Sequence, residues 1–186
     1  MKFQIYNREV RADSIYWKIR VIDTLPTIRA KWIGKQFPMA NFTDMKGNKL
    51  SITDLQGKVL IINCWSVTCG PCVSEIPQLN RVADESAKRG ILCLALTYDK
   101  DQEITRFFKA EKLKEYIKMS RPEFKFRIIA NQKPFLDHSL QVINYPTTFI
   151  VDRNGVIREV LEGVNLDEAG KLKSYNEIMS VVAELK

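Results

Sequence analysis

Short apolar runs alternate along the chain with stretches of helical periodicity. Residues 59–64 and 91–96 form two almost continuously apolar runs, which is typical of strands covered on both faces of a sheet. Between them, apolar residues recur every three or four positions up to about Arg89, as expected for a helix that ends at Gly90. The positions that carry this pattern are Val73, Ile76, Leu79, Val82 and Ala83.

Three further strands are predicted nearer the C-terminus. Residues 124–130, 147–152 and 156–161 are rich in apolar and β-branched side chains, and such composition favours strands. Asn154-Gly155 separates the last two runs, and this dipeptide is a strong signal for a hairpin turn. We therefore expect the last two strands to pair with each other.

Helices are predicted between and after these strands. Residues 133–140 form a short helical pattern, and Asp167 can cap a final helix. Apolar positions with helical spacing are Ile104, Phe107, Phe108, Leu172, Ile178, Val182 and Leu185. The resulting order, β-α-β-α-β-α-β-β-α, predicts a layered α/β fold with right-handed crossovers.

The N-terminal part is predicted to differ from this regular domain. We expect residues 1–32 to be an extension that packs on a main domain of residues 33–186, or to be partly disordered. Within it, Pro26 follows a run that alternates like a strand. The alternating apolar positions are Ile15, Trp17, Ile19 and Val21.

A β-hairpin is predicted at the start of the main domain. Residues 37–42 can form its first strand, and the turn Lys46-Gly47-Asn48 can return the chain through Leu50 and Ile52. Glycine next to a polar residue is typical of such turns.

Charge and composition limit the classes of protein to which this chain can belong. The 186 residues include 29 Lys and Arg against 22 Asp and Glu, a net charge of +7. These charges are scattered, so they favour solubility and a mild preference for acidic partners rather than nucleic-acid binding. No apolar run is long enough to span a bilayer, and the first residues lack the apolar stretch of a secretory signal. We expect a cytoplasmic protein, or a periplasmic or other extracytoplasmic protein whose leader was removed.

The candidate chemistry lies in Cys69-Gly70-Pro71-Cys72, between the first buried run and the helix that follows. Two residues between cysteines allow a disulfide when the second cysteine is in the first helical turn. A helix N-terminus favours the thiolate form of a cysteine, which is the nucleophile. We therefore predict that Cys69 attacks a substrate disulfide and that the more buried Cys72 resolves the mixed disulfide.

A zinc site is the alternative interpretation of this spacing. Zinc normally requires four ligands, and the other candidates are Cys64, Cys93 and His138. The two cysteines lie in apolar runs, where cysteine commonly serves as a small hydrophobic residue. We therefore expect no metal, structural roles for both cysteines and a partly exposed, non-catalytic helical position for His138.

Two segments resemble the TlpA/ResA-like branch of the thioredoxin-fold proteins: VLIINCWSVTCGPCVSEIPQL and NYPTTFIVDRNGVIREVLEG. The similarity runs from about Gly34 to the C-terminus. It implies a thioredoxin-like α/β fold in which a central mixed sheet is flanked by helices, here with an N-terminal β-hairpin extension.

The resemblance also implies site residues beyond the cysteines. Pro146 matches the family's cis-proline, which with Tyr145 offers backbone groups to a substrate. Glu75 matches a glutamate near the cysteines that tunes a thiol or moves its proton; the alternative is a surface glutamate at the helix start. Thr68 replaces a tryptophan of the substrate-facing surface. We also assign Trp65 to substrate binding, and expect it both to cover the disulfide and to pack partly in the core. A further position, Asn63, stands where thioredoxin carries a buried acid.

By this resemblance, the protein is a thiol–disulfide oxidoreductase that reduces protein disulfides and is recharged by an upstream electron donor, without its own cofactor. Cytochrome c maturation partners are implied if it works outside the cytoplasm. Two alternatives remain open. One is a peroxiredoxin-type peroxidase, although residues 66–69 lack that family's proline. The other is a non-catalytic module that binds metal through Cys69 and Cys72.

Overall fold

The computed structural model describes residues 2–11, 14–23, 27–117, 122–164 and 167–185. Two long strands, β1 (Lys2–Arg11) and β2 (Ser14–Asp23), pair antiparallel as a separate two-stranded sheet near the N-terminus. The alternating run in the extension is therefore a strand, as predicted, and Pro26 lies outside the described residues.

The rest of the chain forms seven strands and seven helices among the described residues. The remaining strands are β3 (Phe42–Thr43), β4 (Lys49–Leu50), β5 (Leu60–Trp65), β6 (Leu92–Thr97), β7 (Arg127–Ile129), β8 (Thr147–Val151) and β9 (Ile157–Glu162). The helices are α1 (Ile28–Trp32), α2 (Ile52–Leu55), α3 (Gly70–Ala87), α4 (Asp101–Lys109), α5 (Glu111–Tyr116), a π-helix (Phe135–Leu140) and α6 (Glu168–Glu184).

A five-stranded mixed sheet organises the molecule, with strand order β7-β6-β5-β8-β9. Strands β5, β6 and β7 are parallel, and β8 runs antiparallel to both β5 and β9. All residues of β5 are buried, because β5 is central and both of its faces are covered. The predicted mixed sheet flanked by helices is thus confirmed, including its closing antiparallel hairpin.

Each face of this sheet has its own apolar core. Because side chains alternate along a strand, Leu60, Ile62 and Cys64 of β5 face one core, whereas Ile61 and Trp65 face the other. The first core is closed by α1, α2 and the π-helix, and the second by α3, α4, α5 and α6. The site-bearing helix α3 is therefore fixed on the second face.

The hairpin predicted near residue 40 is shorter than expected. Only Phe42–Thr43 and Lys49–Leu50 pair, so the prediction of a strand over residues 37–42 is wrong. Pro38 lacks the N–H that a ladder requires, and the Phe37 N–H donates instead to Gly155 O (2.8 Å). Ile52 begins α2, since Ser51 caps that helix.

Segments before β5 cover both edges of the large sheet. Along the outer edge of β9, the Gly34 N–H donates to Ile157 O (2.9 Å), and the Ile157 N–H donates to Lys35 O (2.8 Å). Helix α1 packs beside the same strand, and its Ile28 lies in the first core. Residues 28–32 of the predicted extension are thus packed on the sheet, although the division of the chain at residue 32 stays a prediction.

The opposite edge is covered by the β3–β4 hairpin. The Met45 N–H donates to Ile128 O of β7 (3.0 Å), and the Arg127 guanidinium forms an ion pair with Asp44 (2.9 Å). These contacts cover part of the β7 edge, so less of its ladder is free to pair with another chain.

Candidate active site

The two motif cysteines form a disulfide at the N-terminus of α3. Their Cα atoms are 5.3 Å apart and the S–S bond is 2.07 Å long. Cys69 is the N-cap residue, and its Sγ accepts a hydrogen bond from the Cys72 N–H (3.2 Å). Cys69 is partly exposed, whereas Cys72 is only 2% exposed. One sulfur therefore faces solvent and the other faces the second core.

A buried aspartate holds the loop between β5 and Cys69. Asp99, which follows β6, accepts hydrogen bonds from the Val67 N–H (2.8 Å), the Ser66 hydroxyl (3.2 Å) and the Thr97 hydroxyl (2.6 Å). Since the carboxyl ends of the parallel strands β5 and β6 meet at one edge of the sheet, this carboxylate reaches the loop directly. The loop that presents Cys69 is thus fixed by a neighbouring strand.

Glu75 is buried beneath the disulfide-bearing turn of α3. Its side chain is 2% exposed, which rules out the alternative of a surface glutamate. Oε1 accepts a hydrogen bond from the Ser174 hydroxyl of α6 (2.5 Å), and Oε2 has no partner among the described residues. Burial raises the pKa of Glu75 from 4.5 to about 7, and the Ser174 hydrogen bond acts in the opposite direction.

The Tyr145–Pro146 peptide bond is cis and lies at the start of β8. Cys64 of β5 pairs with Thr147 of β8, so Pro146 sits beside the end of β5, where the loop to Cys69 begins. The Pro146 carbonyl accepts a hydrogen bond from the Gly163 N–H (2.8 Å). Within the described part of the chain, the backbone N–H and C=O of Tyr145 form no hydrogen bond.

Three aromatic or hydroxyl side chains near the cysteines are exposed. The Thr68 and Tyr98 hydroxyls are 3.5 Å apart, and the Tyr98 ring packs edge-on against Tyr145 with centroids 5.7 Å apart. The Tyr116 hydroxyl donates to Gly70 O (3.3 Å). These groups surround the entrance to the disulfide.

Trp65 requires a correction. It is completely buried and packs against Phe107, Phe108 and Phe124, with the Phe124 ring centroid 5.3 Å away. The suggestion that Trp65 binds substrate is therefore wrong. Trp65 packs in the same core as Cys72. Successive side chains of β5 point to opposite faces, so Cys64, the residue before it, lies in the other core.

The remaining candidates have structural surroundings. The Asn63 amide donates to the Thr148 hydroxyl across β5 and β8 (2.9 Å). Cys64 and Cys93 are free thiols in opposite cores; burial raises the pKa of both, that of Cys93 to about 12. His138 is exposed on the π-helix.

The described residues contain neither a metal-binding cluster nor a helix that could span a membrane. Within those residues, no group of three or more His, Cys, Asp and Glu side chains is arranged to hold a metal ion. Every described helix is also too short or too polar to cross a bilayer.

Sequence reasoning missed Asp99, Ser174 and Tyr98. A polar residue directly after a buried strand is a usable signal for Asp99. Ser174, by contrast, lies 99 residues after Glu75 in a helix without a motif, and only the packing of α6 on α3 brings the two together.

Comparisons with known proteins agree with this site. The chain is 27% identical over 143 residues to the thiol-disulfide oxidoreductase ResA of Bacillus thuringiensis subsp. konkukian, covering 77% of this chain and 76% of ResA. It is 29% identical over 132 residues to the thioredoxin-like protein YneN of Bacillus subtilis, covering 70% and 71%. The predicted resemblance to ResA-like proteins is confirmed.

Solved structures show the same fold. The thioredoxin domain of a thiol-disulfide oxidoreductase from Bacteroides vulgatus superposes with a TM-score of 0.57 at 23% identity, covering 80% of this chain and 96% of that one. A reduced 2-Cys peroxiredoxin of Plasmodium vivax gives 0.61 at 16% identity, covering 80% and 97%. Peroxiredoxins thus share the fold, but the two relatives above and the paired cysteines favour thiol–disulfide exchange over peroxidase chemistry.

The chain is a thiol–disulfide oxidoreductase with the redox pair Cys69 and Cys72. The model of the AhpC/TSA family matches residues 33–160, which contain the cysteine pair, the cis-proline and all five strands of the large sheet except the end of β9. The chain therefore belongs to the AhpC/TSA family.

Proposed function

We propose that this protein reduces disulfides in partner proteins, with Cys69 as the attacking and Cys72 as the resolving cysteine. The observation that carries the proposal is the asymmetry of the pair. Cys69 is partly exposed at the helix N-terminus, and Cys72 is 2% exposed behind it. A substrate disulfide can reach the first sulfur and not the second.

The exchange proceeds in two displacements. The Cys69 thiolate attacks one sulfur of the substrate disulfide, and the other substrate sulfur leaves as a thiolate that takes up a proton. The Cys72 thiolate then attacks Cys69 Sγ, closes the Cys69–Cys72 disulfide and releases the second substrate thiol. Two electrons pass from the enzyme dithiol to the substrate, so an upstream electron donor must reduce the enzyme again.

The buried carboxyl group of Glu75 supports the reducing direction. Glu75 lies one helical turn after Cys72, on the same face of α3. A negative charge on Glu75 disfavours a thiolate at Cys72, because the two like charges repel each other. The reduced form with ionised cysteines is therefore less stable relative to the disulfide, and a stable disulfide is characteristic of a reductant.

The substrate surface in this proposal is formed by Tyr145, Pro146 and Thr68. The unpaired backbone groups of Tyr145 can pair with an extended substrate segment, as an added strand does at a sheet edge. The exposed Thr68 and Tyr98 side chains border the same entrance. Pro146 would hold the backbone of Tyr145 toward the cysteines.

The partners in this proposal rest on the same resemblance. We propose protein thiols and disulfides as the substrate class, and cytochrome c maturation proteins as partners if the chain works outside the cytoplasm. The relatives' name, thiol-disulfide oxidoreductase, supports the substrate class and leaves the individual partner to experiment.

Trapping variants test the roles of the two cysteines. We expect Cys72→Ser to accumulate a mixed disulfide with a partner protein through Cys69, because the resolving thiol is missing. Cys69→Ser should trap none, since Cys72 is buried. Non-reducing electrophoresis and peptide mass spectrometry of the trapped species measure this. Equal trapping by both variants would contradict the assignment, and rapid consumption of hydrogen peroxide by the wild type would favour a peroxidase.

The reduction potential of the Cys69–Cys72 couple tests the direction. We expect a midpoint near or below about −250 mV, in the range of thioredoxin-like reductants. Alkylation of free thiols across defined redox buffers, followed by mass spectrometry, gives this value. A midpoint between about −180 and −120 mV would identify an oxidant or isomerase instead.

A further inference from the structure

A second helix reaches the buried glutamate of the site. The Ser174 hydroxyl of α6 donates to Glu75 Oε1 (2.5 Å). Glu75 is otherwise enclosed: its side chain is 2% exposed, and its other carboxyl oxygen has no partner among the described residues. The hydroxyl of Ser174 is therefore the polar contact that this carboxyl group makes.

Ser174 also faces solvent. It is partly exposed and lines a groove of about 760 Å³ between β9 and α6. Charged side chains line the same groove, among them Glu159, Glu162, Lys173 and Glu177. The hydroxyl thus stands between a polar groove on one side and a buried carboxyl group on the other.

The resolving cysteine needs such a connection. Cys72 is 2% exposed, so its thiol proton has no direct way to water when the thiolate forms. Glu75 follows Cys72 by three residues, which places both side chains on one face of α3. A proton that leaves Cys72 can pass to Glu75, and Glu75 must then exchange it with solvent.

We propose that Ser174 positions the Glu75 carboxyl group and connects it to the groove between β9 and α6 for proton exchange. This inference rests on the proposed function, because it concerns the step in which Cys72 attacks. Ser174 is a positioning residue, since it acts on the thiol through Glu75.

The proton balance of this step is simple. The Cys72 thiol gives its proton to the Glu75 carboxylate, and the resulting thiolate attacks Cys69 Sγ and displaces the substrate thiolate. The protonated Glu75 then passes a proton to the Ser174 hydroxyl oxygen as that hydroxyl releases its own proton to solvent in the groove. Glu75 and Ser174 return to their starting states.

Other titratable groups surround α3 but contribute little to Glu75. Burial is the main influence on its pKa and raises it to about 7, and the Ser174 hydrogen bond is the opposing influence. Tyr175 of α6 contacts Arg81 instead, with the guanidinium carbon 4.4 Å from the ring centroid. Two groups from other elements contact α3 away from Glu75: the Tyr116 hydroxyl donates to Gly70 O, and Lys125 pairs with Asp84. The other titratable side chains described on β6, β9 and α6 are Cys93, Arg158, Glu159, Glu162, Lys171, Lys173, Glu177 and Glu184.

The test measures Glu75 itself before any substrate is added. We expect Ser174→Ala to raise the pKa of Glu75, observed by NMR of its labelled carboxyl carbon, because a hydrogen bond to the carboxylate is lost. The pH profile for closure of the Cys69–Cys72 disulfide should move to higher pH, with a several-fold slower rate at pH 7 and a rate at pH 9 within about twofold of wild type. Ser174→Thr keeps a hydroxyl and should restore both.

Two controls separate this role from a general effect on the groove. Ser180→Ala changes another serine of α6 that lines the same groove, and it should leave the titration and the profile unchanged. In a Glu75→Gln background, Ser174→Ala should have no further effect on the profile, because Ser174 acts through Glu75. Unchanged titration in Ser174→Ala, an equal effect of Ser180→Ala, or an additive effect in the Glu75→Gln background would overturn the proposal.

The result is independent of the proposed direction of electron flow. Closure of the disulfide is followed with a small disulfide oxidant, so it requires no protein partner. If the Glu75 titration responds to Ser174 while the Cys72→Ser variant traps no partner, the proton route stands and the proposed function fails.

Discussion

At the scale of single residues, Glu75 carries the clearest electrostatic signature in the site. It is buried on α3, receives one hydrogen bond and leaves one carboxyl oxygen unpaired among the described residues. Burial raises its pKa from 4.5 to about 7, so the group changes charge near neutral pH. Burial of the charged Glu75 carboxylate therefore lowers the stability of the folded protein.

This electrostatic state predicts a pH dependence of unfolding. Because the folded-state pKa of Glu75 lies above 4.5, its favourable contribution is complete below pH 4.5 and is lost as the pH rises through about 7. This increase in pKa corresponds to about 3 kcal/mol of unfolding free energy. We expect Glu75→Gln to match the oxidised wild type at pH 4 and to be more stable by up to this amount at pH 8, as measured by urea unfolding.

A glutamate on the same helix provides the comparison. Glu85 lies near the end of α3 and forms an exposed ion pair with Lys88 (2.9 Å). Glu85→Gln should leave the pH dependence between 4 and 8 as it is in the wild type. If Glu75→Gln showed the same slope as the wild type, the charge change of Glu75 would not contribute to stability in this interval.

At the scale of secondary structure, the site depends on the loop from β5 to α3. Asp99 binds this loop through the Val67 N–H and the Ser66 hydroxyl, so the end of β6 fixes the position of Cys69. The carboxylate is buried and has several donors, an arrangement in which each hydrogen bond to a charged acceptor is stronger than a neutral one.

Loss of this carboxylate should loosen the loop. We expect Asp99→Asn to lower the free energy of unfolding of the oxidised protein by about 2 kcal/mol, since a buried acceptor with several donors is replaced by a weaker one. Chemical unfolding measures the change. Asp101→Asn, in the exposed first turn of α4, should lose less than about 1 kcal/mol. Equal losses in both variants would mean that Asp99 does not anchor the loop.

Local sequence patterns predict part of this fold and site. Strands β5, β6, β8 and β9, helix α3 and the pair Cys69 and Cys72 follow from local patterns, because each pattern and its element occupy the same stretch of chain. Ser174 reaches the site from a helix distant in sequence, and no local pattern encodes that contact. The position of Asp99 directly after a buried strand is a local signal, but its contacts with Ser66 and Val67 depend on the tertiary fold. The prediction of a strand over residues 37–42 is wrong for a similar reason. Pro38 has no N–H, and the hydrogen bond from the Phe37 N–H to Gly155 O is a long-range contact that the local apolar pattern does not show.

At the scale of the whole molecule, segments that precede β5 cover both edges of the large sheet. Residues 34–37 pair with the start of β9 and the turn before it, and the β3–β4 hairpin contacts β7 through Asp44 and Arg127. Burial alone would raise the pKa of Asp44, but hydrogen bonds from Asn48, Arg127 and Lys46 outweigh it and lower the pKa from 3.8 to about 2.

Asp44 should therefore stabilise the molecule except in strong acid. Its depressed pKa means that the contribution is complete above pH 3.8 and is lost as the pH falls towards about 2. We expect Asp44→Asn to lose about 1 kcal/mol at pH 7, a modest amount because the Arg127 side chain is 33% exposed and solvent screens the pair.

The pH dependence and a surface control test this assignment. Thermal or urea unfolding should show that the difference between Asp44→Asn and the wild type shrinks below pH 3. Asp84→Asn removes the exposed pair with Lys125 and should change the stability by less than Asp44→Asn does. A larger loss for Asp84→Asn would show that Asp44 does not stabilise the molecule more than this exposed pair does.

During translation, the segment that covers both sheet edges leaves the ribosome long before the strands that it covers. Asp44 precedes its partner Arg127 by 83 residues, and Arg29 precedes its partner Glu162 by 133 residues. Contacts of such long sequence separation form slowly. The nascent chain consequently holds its early hairpin without a partner until β7 emerges, and it completes the sheet only after the last residues of β9 have been synthesised.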